Sequence, residues 1–187
     1  SCPGVGKEVS KDGRAGKACV NAVIEARKVG ELAIAQEAAD LALEAFPHAA
    51  EAPQAVWALV EALRSAGLLL EAAGYDERLV ARWPKDPHAR EAAFNAVVAR
   101  TALGQHPQAV KAAQEYQRLF AAADPDDADE VTFLLGKAHE MAGKRAEAMA
   151  VYAGYVGRAR NIDHQLEALV RLAQLRLSAK ELHGADE

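Results

Sequence analysis

Apolar residues recur along this chain at intervals of three and four positions over most of its length, which is the period of amphipathic helices rather than strands. The apolar runs break at glycines and resume immediately after them. Four segments align on this feature: NAVIEARKVG ending at Gly30, ALVEALRSAG at Gly67, NAVVARTALG at Gly104 and LLGKAHEMAG at Gly143. Their glycines are 37, 37 and 39 residues apart, and a further step of 37 reaches Lys180, preceded by LVRLAQLRLSA with the same rhythm but no glycine. Other positions share the period. An alanine follows each glycine by five residues, at Ala35, Ala72, Ala109 and Ala148, where two helices of a pair are expected to approach most closely. Phe46, Trp83 and Phe120 follow the first three glycines by sixteen, with Pro47 and Pro84 beside two of them as helix stops.

Each unit therefore reads as helix, glycine turn, helix and stop. One such pair cannot bury its apolar face alone, so the pairs must stack. The pattern predicts helices over 14–29, 31–46, 51–66, 68–83, 87–103, 106–122, 126–142, 144–158 and 163–180. Residues 1–13 are expected to be a flexible leader, and 14–187 an array of four pairs and a final helix. Pro87, Pro107 and the acidic run Asp124 to Glu130 supply start signals.

The order of residues in the last full unit, Leu135-Gly136, Gly143, Ala148 and Tyr152, resembles the tetratricopeptide repeat family in its long-repeat bacterial form. The likeness spans about residues 15–180. It implies an all-α, right-handed solenoid of stacked antiparallel helix pairs, about nine helices in all. The units exceed the family's usual 34 residues. Gly136 gives way to Val23, Val60 and Val97 in the earlier units, and Tyr152 to Ala39, Asp76 and Ala113.

The resemblance also implies that first helices line a concave surface that binds a protein or peptide segment. Ten residues before the turns stand Val20, Trp57, Phe94 and Phe133, an aromatic-rich ladder that continues by extrapolation to Val170. Six before come Ile24, Glu61, Val98 and Lys137, and three before come Arg27, Arg64, Thr101 and Glu140. Large residues at helical spacing also serve as core, and the two readings stay open for the ladder. Some family members clamp a chaperone's terminal carboxylate with lysines, arginine and asparagines. Asn21 and Asn95 fit amide places, but Trp57, Phe94 and Phe133 hold the cationic ones, so a more apolar segment is expected.

Composition narrows the function. A hydrophobic share of 51% belongs to a folding chain, and its alanine richness favours closely packed helices. The net charge of -5 argues against a dedicated nucleic-acid binder, which needs a basic face. No run is long and apolar enough to span a membrane. No catalytic motif, metal site or cofactor site is expected. The six histidines lack i, i+4 pairing, His139-Glu140 meets glycine where a zinc helix needs histidine, and the acidic run at 124–130 lacks the glycine and distant glutamate of a calcium loop. Helix capping explains that run better.

The expectation is a non-enzymatic interaction scaffold. Two alternatives accompany it: a cell-envelope lipoprotein subunit of a bacterial assembly, secretion or motility complex, or a peptide-sensing regulatory domain. Ser1-Cys2 fits the small residue that precedes a bacterial lipoprotein cysteine, and a Cys2–Cys19 disulfide is another fate for that thiol. Bacterial cytoplasm and periplasm or envelope stay open, with the envelope the favoured of the two. The stretch Leu166 to Leu177 is apolar on more than one side, which calls for a covering element: a further helix, or a homodimer formed end to end through the C-terminal helix.

Overall fold

The computed structural model describes residues 13–184. Among them are nine helices and no strand: α1 (Gly13–Val29), α2 (Leu32–Glu44), α3 (Ala52–Ser65), α4 (Leu69–Arg82), α5 (Ala89–Ala102), α6 (His106–Phe120), α7 (Pro125–Met141), α8 (Arg145–Val156) and α9 (Ile162–Gly184). The predicted elements are all present. α2 stops at Glu44, short of the expected 46, and Phe46 turns the chain ahead of Pro47. Cys2 and the leader to residue 12 lie outside the described residues.

The chain divides into two compact units at the Ala92–Ala93 junction. In the first, α1 packs on α2 and on α3, α2 on α3, and α3 on α4. In the second, α6 packs on α7, α7 on α8, α8 on α9, and α7 touches α9.

One closure is used four times. Gly30, Gly67, Gly104 and Gly143 have φ between 69° and 78°, the left-handed region that glycine enters without a Cβ penalty. The amide after each glycine bonds a carbonyl five residues back: Glu31 to Ala26, Leu68 to Leu63, Gln105 to Arg100 and Lys144 to His139, all at 2.9 Å. This satisfies carbonyls that the helix end would otherwise strand. These same four residues have φ near -84° and ψ of 61–70°, so the second helix departs in the same direction each time. That direction brings Ala35, Ala72, Ala109 and Ala148 against the first helix, where all four are buried. A methyl group sets the spacing of each pair.

A second rule links the positions seven before and nine after each turn glycine. The pairs are Val23 and Ala39, Val60 and Asp76, Val97 and Ala113, and Gly136 and Tyr152, and all eight residues are buried. Where the first helix offers valine the second has a smaller group. Where it offers glycine the second has a tyrosine ring, and a Cβ added at Gly136 would fall 2.5 Å from that ring. The volume shared across the pair is thus filled either way.

Polar side chains fix the remaining joints. Between second helices, Tyr75 and Arg78 of α4 donate to Asp40 of α2 at 3.1 and 2.6 Å. Burial, reinforced by Asp40, pushes the Tyr75 hydroxyl up to about 12. The Trp83 indole donates to the Pro47 carbonyl at 2.9 Å, joining one inter-pair turn to the previous one. In the second unit Asp124 caps α7 by accepting from the amides of Asp126 and Asp127. Asp129 accepts from the Tyr155 hydroxyl at 2.7 Å and from the amides of Arg160 and Asn161, tying the turn before α9 to α7. Asn161 in turn caps α9 through the amides of Asp163 and His164. The acidic run is therefore occupied with helix starts and turns. Among the described residues no group of three or more His, Cys, Asp or Glu could hold a metal ion, and no helix is long and apolar enough to cross a membrane. Cys19 is buried in α1.

Candidate functional site

The first helices carry the ladder residues, and burial divides them into two kinds. In the first unit Val20 is 6% exposed and belongs to the core, Ile24 is half-buried and Arg27 is exposed. Trp57, on α3, is half-buried. Its ring stacks on His88 with centroids 4.6 Å apart and planes 12° from parallel, and the Arg64 guanidinium carbon is 5.2 Å from its centroid. These neighbours restrict the orientation of the half-buried indole. Glu61 is half-buried one turn further along.

Arg64 has other commitments. It forms a bidentate pair with Asp76 of α4 at 2.7 and 2.8 Å and a longer contact of 3.4 Å with Glu61. Asp76 is 1% exposed. Burial pushes its carboxyl up to about 7, with Arg64 pulling in the opposite direction. Arg64 thus anchors α4 and steadies Trp57, and its charge is largely consumed within the unit.

In the second unit Phe94 is half-buried and meets Tyr116 edge to face at 6.3 Å. Val98 is exposed, and the Thr101 hydroxyl donates to the Val97 carbonyl at 2.8 Å. Phe133 is 2% exposed. It is enclosed by Tyr152, Tyr155 and His164, the last stacked at 4.4 Å and 11°, and it belongs to the core that α7, α8 and α9 share. Lys137 has its ammonium 5.3 Å from the Phe133 ring and 3.6 Å from Glu167. Glu140 accepts from the Tyr152 hydroxyl at 2.9 Å and from Arg171 at 3.1 Å. Burial and this carboxylate push the Tyr152 hydroxyl well above the usual phenol range. Phe133, Lys137 and Glu140 therefore hold α7, α8 and α9 together.

Of the ladder residues, Arg27 in the first unit and Val98 in the second are exposed, and Ile24, Trp57, Glu61 and Phe94 are half-buried. His88 and His164 were not marked by the sequence reading as partners of the ladder. Each follows its aromatic by 31 residues, Trp57 to His88 and Phe133 to His164, so the repeat offset itself carried the signal. An open cleft of about 450 Å³ with mixed lining also lies along α7, bordered by Gln117, Ala128, Thr132, Tyr155, Arg158 and Arg160. Arg160 is paired there with Asp126 at 2.6 Å.

No family model matches the chain, and no curated protein matches it. Among solved structures it is similar to the nearly identical TPR-like repeats of a kinesin-light-chain-like protein of Podosopora anserina. The TM-score is 0.53 at 16% identity, over 91% of this chain and 89% of that one. It also aligns with MamA, residue 41 to the end, from Desulfovibrio magneticus RS-1, with a TM-score of 0.48 at 14% identity, over 89% of this chain and 96% of that one. The likeness to the Podosopora repeats shows the fold: an all-α helical repeat similar to those TPR-like repeats.

Proposed function

We propose that the chain is a non-enzymatic scaffold whose first helices hold a segment of a partner protein. The observation that carries this reading is Trp57. It is a large aromatic on a first helix, held by His88 and Arg64 and half-buried, with Glu61 on the same helix and with Ile24 and Arg27 on α1, which packs against that helix. An aromatic fixed before binding loses little freedom on contact and is the residue type in which interface energy concentrates. The neighbours favour a segment with one apolar side chain for the indole and charges that answer Arg27 and Glu61. Phe94 and Val98 form a smaller patch of the same character in the second unit.

Affinity capture with the full chain, compared with Trp57→Ala and Phe94→Ala variants of unchanged helicity, tests the proposal. Loss of the same protein from the variant captures supports it. Recovery of identical sets by all three proteins sinks the assignment of the surface.

A further inference from the structure

α9 has two apolar faces. One holds Ala168, Leu172 and Leu175 and is buried with Phe133, Tyr152 and Tyr155. The other, roughly 145° away around the helix at 100° per residue, consists of Ile162, Leu166, Leu169, Val170, Ala173 and Leu177. Its five large members are 49–69% exposed. Single exposed leucines are ordinary, but a continuous stripe about 22 Å long, fifteen residues at 1.5 Å each, is the signature of a face that is covered in use.

We propose that this face packs against the same face of a second copy, with the two α9 helices antiparallel about a two-fold axis beside Leu169 and Val170. The proposal deepens the scaffold reading by naming one partner, and it stands independently of the Trp57 surface. Two features select this partner. The stripe is symmetric about its own midpoint: a two-fold there sets Ile162 at the height of the copy's Leu177, Leu166 at that of Ala173, and Leu169 at that of Val170. Each large side chain at 166 then meets a small one, as interdigitation requires. The exposed charges flanking the stripe are also ordered, with Asp163 at the N-terminal end and Arg176 at the C-terminal end. Antiparallel pairing sets the acidic end of each helix level with the basic end of the other, across the seam because Asp163 and Arg176 lie on opposite flanks of the stripe, and opposes the helix dipoles, whereas parallel pairing would set like ends level. A seam of one helix is smaller than the roughly 800 Å² per partner of a standard interface, so the dissociation constant is expected in the micromolar range.

Sedimentation velocity on the full chain, from about 1 to 200 µM to bracket that range, should show a monomer–dimer equilibrium. Leu169→Glu with Val170→Glu, on exposed positions, should weaken it by at least about 100-fold with helical circular dichroism unchanged. Orientation is read by disulfide trapping in a chain whose Cys2 is replaced by serine. Ile162→Cys mixed with Leu177→Cys should give the mixed disulfide, and each alone should give little. A monomer throughout the concentration range, a dimer that survives the double glutamate, or efficient trapping of Ile162→Cys with itself would each overturn the proposal. A monomer that still loses its captured partner on Trp57→Ala would leave the scaffold reading standing while removing this one.

Discussion

The methyl group that Gly136 lacks would fall 2.5 Å from the Tyr152 ring, so the glycine and the tyrosine are two halves of one packing decision. The other units make the opposite choice, with valine and a smaller residue in the same places. Gly136→Val alone should cost about 1–3 kcal/mol through overpacking. Tyr152→Ala alone should cost about 3–5 kcal/mol through an empty cavity and the lost bond to Glu140. The double variant restores the arrangement of Val23 with Ala39 and Val97 with Ala113, and denaturant unfolding should find it at least about 1 kcal/mol more stable than the sum of the singles. Simple additivity would show that the two positions do not share space.

Gly67 isolates the conformational part of a turn, because a Cβ there would meet nothing within 4 Å while φ stays at +75°. Gly67→Ala should lower stability by about 1–2 kcal/mol, and Gly67→Asn by less, since asparagine tolerates the left-handed region better. Thermal melts of the two variants supply the comparison. Equal stability of alanine and glycine would remove the claim that backbone conformation conserves the turn.

Asp76 should make the protein less stable as pH rises toward neutrality. Its folded carboxyl titrates near 7, above the value of 3.8 it has when solvated, so between those limits the folded state binds more protons than the unfolded one. The contribution is therefore greatest below about pH 4 and is lost as pH climbs through 7, by up to about 4 kcal/mol. Asp76→Asn should flatten the profile between pH 5 and 8. A wild-type curve that rises over that interval would mean that Arg64 outweighs burial.

Arg64→Ala follows from the same pair. At pH 8 it leaves a buried carboxylate without its cation and should cost about 3–5 kcal/mol, whereas at pH 5, with Asp76 neutral, the cost should be clearly smaller. A pH-independent loss would indicate that Arg64 acts through its contact with Trp57.

Trp57→Ala and Phe133→Ala occupy the same repeat position and should behave differently. The enclosed Phe133 should cost about 3–5 kcal/mol. Loss of the half-buried indole, with its histidine stack and cationic neighbour, should cost about 1–2 kcal/mol. Chemical denaturation of the two variants separates them, and equal losses would place Trp57 in the core.

Helix positions and turns were legible in the sequence because they depend on single residues acting locally. A glycine at positive φ and an alanine at the closest approach leave a period that can be counted. Burial along the ladder was not legible in that way. Phe133 is enclosed because Tyr152 and Tyr155 of α8 and His164 of α9 surround it, whereas Trp57, with Asp76 and Leu79 on α4 at the places of those two tyrosines, stays half-buried. The fate of each aromatic is decided by residues one or two helices away. The pairing of Arg64 with Asp76 and of Glu140 with Tyr152 was hidden for a related reason. The two donor–acceptor pairs use the same positions, three before and nine after the glycine, with chemically unrelated residues.

The alanines five residues beyond each glycine act as a gauge block. They fix how far apart the two helices of a hairpin stand, and they do so from inside, without touching the solvent-facing side of the first helix. In the first three units the gauge is therefore set at a different letter of the repeat from positions 24, 61 and 98. Positions such as 24, 61 and 98 can be rewritten to suit a new partner while Ala35, Ala72 and Ala109 hold the hairpins at the same gauge, which makes this chain a candidate frame for installing binding surfaces by substitution.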